Sequence, residues 1–185
     1  ELSLGQKVDV FNDFFPRIIY NNQPTLALLL NHTRHTPRDF IELINKIQNH
    51  TAADYVTQTD IANGIHEYSN EYFQREIRDE LHGFVENNED IDLIMSLLSK
   101  MQKGIFTYEE ILQKKSEDDR FSKIDLLKVL NLLYDCSAIG NCREVRTNYS
   151  IHYKGIRKKP KRLYIFKYLN PHSKFEEQDK IVIHK

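Results

Sequence analysis

The stretch HTPRDFIELINKIQN (His35–Asn49) contains the clearest helix start in the chain. Thr36 is a good N-cap residue, Pro37 suits the first helical position, and the helix dipole favours the charge of Asp39 in the first turn. Apolar residues then recur at helical spacing, namely Phe40, Ile44 and Ile47. The stretch therefore predicts a helix with one buried face, and it indicates a fold that begins with helices.

Helical patterns continue toward the C-terminus. Thr59-Asp60 is predicted to open a longer helix that ends near Gly83, and residues 87–90 are predicted to form a linker or the next N-cap. Three short helices follow, and we expect Thr107 to cap the second of them and Ser122 to cap the third. Most of the chain before the first β-like run is therefore predicted to be helical.

The last part of the chain is predicted to contain strands. Two β-like runs, REVRTNYSIHYK (143–154) and RLYIFKYL (162–169), are followed by a short final strand, KIVIH (180–184). Three short helices followed by a β-hairpin is the order of a winged helix-turn-helix domain. We therefore predict a mainly α fold with a small β-hairpin, in which a helical segment (1–86) precedes a winged helix-turn-helix domain (87–185).

Charge is distributed unevenly along the chain, although the formal net charge is only −1. Residues 142–185 contain 12 Lys and Arg against 4 Asp and Glu, a net charge of +8, and the remaining 141 residues contain 14 against 23, a net charge of −9. Folding does not require such a separation, so it points to a partner of opposite charge.

The positive charge is densest in the stretch YKGIRKKPKRLYIFKYL, which we call the basic segment (Tyr153–Leu169); seven of its seventeen residues are basic and none is acidic. In a winged helix, the wing between the last two strands lies along a phosphate backbone, where each Lys or Arg contact releases counterions. Pro160 would stiffen this turn. The predicted phosphate contacts are Lys154, Arg157, Lys158, Lys159, Lys161 and Arg162.

Alternation in the second strand places Tyr164, Phe166 and Tyr168 on one face. We expect these aromatic side chains to belong to the hydrophobic core rather than to a stacking platform for bases.

The predicted recognition helix gives a weaker signal for DNA. It offers Lys123 and Lys128 as further candidate contacts, but Asp125 and the acidic loop Glu117–Asp119 would repel phosphates. An acidic protein surface, including the acidic helical half of the same polypeptide, is therefore an alternative partner to DNA. A solvated turn without any partner is the third interpretation.

Motifs for catalysis and cofactor binding are missing. The sequence has neither a G-x-x-x-x-G-K-[ST] nor a G-x-G-x-x-G stretch, and the spacing of Cys136, Cys142 and His152 is not that of a zinc site. We therefore predict no enzyme activity, no metal and no cofactor for this stretch of chain. Without a signal peptide, a disulfide framework or an apolar run of about 20 residues, we expect a cytoplasmic protein without a membrane contact.

Four stretches together resemble the C-terminal portion of a family of bacterial P-loop ATPases of the AAA or STAND type. They are HTPRDFIELIN, TDIANGIHEYSNEYFQREIRDEL, LYDCSAIGN and FKYLNPHSKFEEQDKIVIHK. The resemblance implies a helical lid followed by a winged-helix-like module, both attached to an N-terminal NTPase core that this sequence lacks. The chain also opens on Glu1 within a helical pattern, which is typical of a fragment of a longer polypeptide.

The resemblance assigns a role to Arg38. It implies that Arg38 stands where the lid arginine of such ATPases reaches toward the terminal phosphates of ATP, bound with Mg²⁺ in the core of the parent protein. The family often has Arg at the position of Thr36, so the match is incomplete. The simpler interpretation is that Arg38 pairs with a surface carboxylate such as Asp39 or Glu42.

Overall fold

A computed structural model describes residues 9–19, 23–85, 87–145 and 161–184. The fold is mainly α with two small antiparallel sheets, as predicted. Contacts divide the chain into two units, Glu1–Glu76 and Ile77–Lys185. The division lies within the helical run that the sequence analysis assigns entirely to its first segment. In the described ranges, no helix combines the length and the apolar character needed to cross a membrane.

The first unit consists mainly of helices. Its elements are α1 (Val10–Asp13), β1 (Ile18–Ile19), β2 (Gln23–Pro24), α2 (Thr25–Asn31), α3 (Pro37–His50), α4 (Gln58–Glu67) and a π-helical turn (Tyr68–Phe73). Helix α5 (Gln74–His82) begins in this unit and ends in the second one.

Helix α3 starts as predicted, but its buried face differs from the prediction. The Thr36 hydroxyl accepts a hydrogen bond from the Asp39 amide at 3.0 Å, and Pro37 is the first helical residue. The fully buried apolar residues are Leu43 and Ile47, whereas Phe40 and Ile44 are only half-buried. Ile47 is thus buried as predicted, and Asp39 and Leu43 complete the buried face in place of Phe40 and Ile44.

Helix α4 begins two residues before the predicted start. Thr57, not Thr59, is the N-cap, and Thr57 and Asp60 form a reciprocal capping box in which each side chain accepts a hydrogen bond from the other's amide. Such a box satisfies two amides that a helix start leaves without partners, so it determines where the helix begins.

The second unit combines helices with a four-stranded sheet. After the end of α5, its elements are α6 (Asn88–Ser99), β3 (Ile105–Phe106), α7 (Tyr108–Ser116), α8 (Leu126–Asp135), β4 (Ile139–Val145), β5 (Lys161–Ile165) and β6 (Lys180–Ile183). The sheet order is β3-β6-β4-β5, and every pair of neighbours is antiparallel. Three helices thus precede a β-hairpin, as predicted.

One helix cap in this unit is predicted correctly and one is wrong. Thr107 caps α7 in a capping box with Glu110, as expected. Helix α8 is capped by Asp125 rather than Ser122, because a 3₁₀ turn at Asp119–Phe121 occupies the preceding residues. Phe121 is fully buried and anchors that turn, so α8 begins later in the chain than predicted.

Candidate functional sites

A buried ion pair joins the two ends of the turn between α2 and α3. Arg34 Nε lies 2.8 Å from Asp39 Oδ2, and Arg34 Nη2 lies 3.2 Å from Asp39 Oδ1. The side chains are 10% and 1% exposed. His35 adopts a left-handed backbone conformation (φ 57°), which folds the chain back so that the Arg34 amide also donates to Asp39 at 3.3 Å. The turn is therefore fixed by a single carboxylate.

The environment of Asp39 keeps it ionised. Burial raises the pKa of Asp39, but the hydrogen bonds and the charge of Arg34 outweigh burial and hold that pKa below its ordinary value. The Tyr72 hydroxyl also donates to Asp39 Oδ1 at 3.3 Å. Burial, reinforced by the Asp39 charge, raises the pKa of Tyr72 to about 12, so that hydroxyl remains a donor.

The π-helical turn supplies the aromatic side of this site. The Arg34 guanidinium lies over the Phe73 ring, 5.7 Å from the ring centroid. Tyr68 is fully buried beside Tyr72 and Phe73. Among the described residues, the Tyr68 hydroxyl has no hydrogen-bond partner. Turns of this kind occur frequently at functional sites, because the extra residue shifts which side chains face a neighbouring helix.

Arg38 is exposed next to the buried pair. Its side chain is 72% exposed, and its Nη2 lies 3.0 Å from Glu76 Oε1. The guanidinium also lies over the ring of Tyr72, 5.8 Å from the centroid. The carboxylate partner is thus Glu76 rather than Asp39 or Glu42, because Asp39 turns inward to Arg34. The contacts are thus exposed on the arginine side, whereas the Glu76 side chain is 17% exposed.

Sequence reasoning singled out Arg38 as a candidate, and it missed Arg34 and the pairing of Asp39 with it. Asp39 in a first turn is fully accounted for by the helix dipole, so nothing in the sequence required a second partner. A five-residue separation matches no helical or strand period, which is why the pair could be found only after the turn at His35 was known.

Part of the basic segment forms β5, an edge strand of the four-stranded sheet. Strand β6 pairs with β4 only over Ile139–Cys142, whereas β5 pairs with β4 over Asn141–Val145. Residues 143–145 and 161–163 therefore pair with each other beyond the end of β6. Together with Cys142 and Tyr164, which pair where β6 is still present, we call them the ribbon. Residues 143–145 and 162–164 are all exposed.

The acidic groups nearest to the ribbon are already paired. Arg143 Nε lies 2.7 Å from Asp179 Oδ2, and Lys180 Nζ lies 2.9 Å from Glu144 Oε1. Arg162 stands opposite Glu144 in the register, is exposed, and forms no ion pair with any residue that the structure describes. Its charge is therefore available to an external anion.

The structure covers part of the predicted phosphate contacts. Lys161 and Arg162 are the first two residues of β5. Four others lie outside the described residues, namely Lys154, Arg157, Lys158 and Lys159. Lys123 and Lys128 are exposed on either side of the Asp125 cap at the start of α8.

The acidic loop before α8 is less negative than the sequence indicated. Glu117 pairs with Lys114 at 2.7 Å. The carboxylate of Asp118 pairs with Arg120 at 2.7 Å and Lys100 at 2.6 Å, and hydrogen bonds from these two cations hold the pKa of Asp118 well below its usual range. Positive and negative charges at the start of α8 are thus nearly balanced.

The expectation for the aromatic residues of β5 is wrong at one position. Phe166 is buried with Cys142 and Val182, and Tyr168 is partly buried against the same cluster. Tyr164, however, is 43% exposed. It stands opposite Cys142, the last β4 residue that pairs with β6, and the core that alternation assigned to Tyr164 does not extend to it.

The structure offers little for metal or thiol chemistry. Cys136 and Cys142 are buried thiols, and burial raises the pKa of the Cys142 thiol. Within the described ranges, no three His, Cys, Asp or Glu side chains converge in a way that could hold a metal ion.

Comparison with known families gives one similarity, and it falls on the first unit. Residues 2–75 match the family described as the FunZ-associated C-terminal helical domain. The match contains Arg34, Arg38 and Asp39 and ends before the second unit. It supports the interpretation that this segment is a C-terminal domain of a larger protein. No match was found among curated proteins or among solved structures.

Proposed function

We propose that the second unit binds nucleic acid through the basic segment, and that the chain is the non-catalytic C-terminal region of a cytoplasmic P-loop ATPase. The observation that carries this proposal is the ribbon. It extends the edge of the sheet into solvent, begins β5 with Lys161 and Arg162, and leaves Arg162 without an ion pair among the described residues. Cations that no protein carboxylate neutralises are the groups that release counterions from a phosphate backbone.

The arrangement of elements supports a winged helix. Helices α6, α7 and α8 precede the β4–β5 hairpin, which takes the place of the wing. Two features differ from a compact helix-turn-helix. Nine residues (117–125) separate α7 from α8, where a turn of about 3–4 residues is usual, and β6 rather than β5 pairs with β3. The ribbon is therefore the better candidate for contact than α8.

Arg38 would connect this binding to nucleotide. In the proposed parent protein the missing core holds ATP and Mg²⁺, and Arg38 can exchange the Glu76 carboxylate for a terminal phosphate because it is 72% exposed. The Arg34–Asp39 pair fixes the first turn of α3 and so the position of Arg38. We propose that α4, the π-helical turn and α5, which follow one another directly along the chain, transmit the resulting movement.

Fluorescence anisotropy tests nucleic-acid binding by the 185-residue chain, with labelled single-stranded and duplex DNA at about 50 mM salt. Lys158→Glu with Arg162→Glu is expected to weaken binding of all sequences alike and to reduce the salt slope by about 2. Arg17→Glu with Arg75→Glu makes the same change in net charge at exposed positions of the first unit and is the matched control. Absence of any DNA binding at low salt contradicts the proposal.

A protein partner is the second candidate, and exposed apolar residues favour it. On the face of the ribbon opposite to Arg162, Val145 is 41% exposed and Leu163 is 49% exposed. An acidic protein surface with an apolar centre would cover both. Val145→Ser with Leu163→Ser would then abolish the interaction at all salt concentrations, whereas binding to phosphates depends on salt and tolerates this change.

The role of Arg38 is tested in the longer parent protein. Arg38→Ala is expected to lower ATP turnover while leaving the fold intact, and Arg75→Ala is the control on the same unit. Equal turnover for both variants removes Arg38 from the proposed mechanism.

A further inference from the structure

Tyr164 and Arg162 are neighbours on one face of the ribbon. They are two residues apart on β5, so their side chains emerge on the same face, opposite Cys142 and Glu144 in the register. Both are exposed, and the Tyr164 side chain is 43% exposed. An aromatic ring and a guanidinium without an ion pair among the described residues thus lie on one face of an edge strand.

Tyr164 is exposed although two of its neighbours on the same face of the sheet are buried. On the same face, Cys142 and Phe166 are buried in a cluster with Val182. Tyr164 lies between the buried Phe166 and the exposed Arg162, at the margin of that cluster. A ring held by a strand at the margin of a core is pre-positioned, so a ligand that stacks on it orders little additional chain.

Together these two side chains suit one class of ligand. Aromatic rings stack on the faces of nucleobases, and Arg contacts the phosphate that joins successive bases. Base faces are accessible in a single strand, whereas in a duplex they are stacked on one another. The start of α8 adds little attraction for a duplex, since the Asp125 carboxylate lies between Lys123 and Lys128 in the chain and opposes their charge.

On these grounds, and resting on the proposed function, we propose that the ribbon binds single-stranded nucleic acid, with Tyr164 stacking on a base and Arg162 contacting the neighbouring phosphate. Arg162 then supplies the sequence-independent attraction to phosphate, and Tyr164 supplies the preference for unpaired bases. Tyr164 is thus assigned as a specificity-determining residue.

The experiment compares a labelled single strand of roughly 20 nucleotides with the duplex of the same sequence, at equal salt, using the 185-residue chain. Wild type is expected to prefer the single strand. Tyr164→Ala is expected to weaken single-strand binding by about 5- to 150-fold and to leave duplex binding nearly unchanged. Tyr164→Phe keeps the stacking ring and is expected to bind as wild type. Tyr55→Ala, at a tyrosine that is 63% exposed in the first unit, is the matched control.

A second readout reports stacking directly. The chain contains no Trp, so Tyr164→Trp introduces the sole indole. Single-stranded DNA is expected to quench its fluorescence, and duplex DNA is expected to leave it unchanged. The same substitution at Tyr55 is expected to show no quenching with either probe.

The outcomes separate the two proposals. If the chain binds single-stranded and duplex DNA equally, or if Tyr164→Ala weakens neither or both, the preference for unpaired bases is wrong while nucleic-acid binding stands. If the wild type binds neither probe, the proposed function and this inference are both wrong.

Discussion

Gly64 on α4 lies against the backbone of Ile47 on α3. A Cβ placed on Gly64 would be 2.6 Å from the Ile47 Cα and 2.4 Å from its Cγ1, distances that real Cβ atoms do not reach. The two helices can therefore pack this closely only because residue 64 has no side chain. Close packing also brings Lys46 within 2.6 Å of Glu67, so one glycine determines both the apolar and the ionic contacts between the helices.

The first prediction concerns this contact. Gly64→Ala is expected to lower the free energy of unfolding by about 1–3 kcal/mol, because it forces backbone atoms apart. Elsewhere in a helix the same change stabilises by up to about 1 kcal/mol, so the sign itself is informative. Asn63→Ala, at an exposed position of α4, is the control and is expected to be neutral or slightly stabilising. Urea denaturation measures both, and a more stable Gly64→Ala variant contradicts the close approach.

The second prediction concerns the buried ion pair. Asp39→Asn is expected to lower the free energy of unfolding by up to about 3–5 kcal/mol, because it removes the carboxylate nearest to the largely buried Arg34 and leaves the Glu76 carboxylate at 3.7 Å. Arg38→Ala is expected to cost less than about 1 kcal/mol, since the pair of Arg38 with Glu76 is exposed on the arginine side. Asp54→Asn, at an exposed loop position, is the control. Equal losses for Asp39→Asn and Asp54→Asn would show that the carboxylate stabilises nothing.

The third prediction is the pH dependence of that stabilisation. The pKa of Asp39 is lower in the folded state than in the unfolded chain. Its stabilising contribution is therefore fully present above the unfolded pKa of about 3.9 and is lost as the pH falls through the folded pKa. The difference in unfolding free energy between wild type and Asp39→Asn is expected to be constant from about pH 7 to pH 5 and to shrink below about pH 4. A difference that stays constant down to about pH 2 would contradict a lowered pKa.

Sequence patterns predicted the features that depend on residues close together in the chain. The start of α3 follows from Thr36, Pro37 and Asp39, whose capping chemistry is local, and the structure confirms it. The start of α4 was missed because Asp60 could be assigned as a cap itself, whereas it reaches back to Thr57. Thr57 and Asp60 are both residue types that can cap a helix, so only the folded geometry shows which of them is the N-cap.

Features that depend on where a neighbouring element ends were not predictable. Alternation correctly placed Phe166 in the core, but it also placed Tyr164 there. The difference between the two residues follows from another strand, because Tyr164 stands opposite Cys142, the last residue of β4 that pairs with β6. The sequence pattern of β5 does not indicate where the pairing between β6 and β4 ends. The candidate site on the ribbon is therefore visible in the sequence as charge, and its aromatic part only in the structure.

The last prediction tests whether the sheet positions the ribbon. Gly140 on β4 lies beneath Phe166, and a Cβ at residue 140 would be 2.7 Å from the Phe166 ring and 2.8 Å from the Ile165 carbonyl oxygen. Gly140→Ala must therefore displace the end of β5 and is expected to cost about 1–3 kcal/mol. Because the same strand carries Arg162 and Tyr164, the variant is also expected to lose affinity for single-stranded DNA under conditions in which it remains folded. Gly83→Ala is the control, since its Cβ would meet only the Glu80 carbonyl oxygen at 3.2 Å. A Gly140→Ala variant that is folded and destabilised but keeps wild-type affinity would show that binding does not depend on the position of β5. The DNA contact would then be made by the residues between β4 and β5 alone.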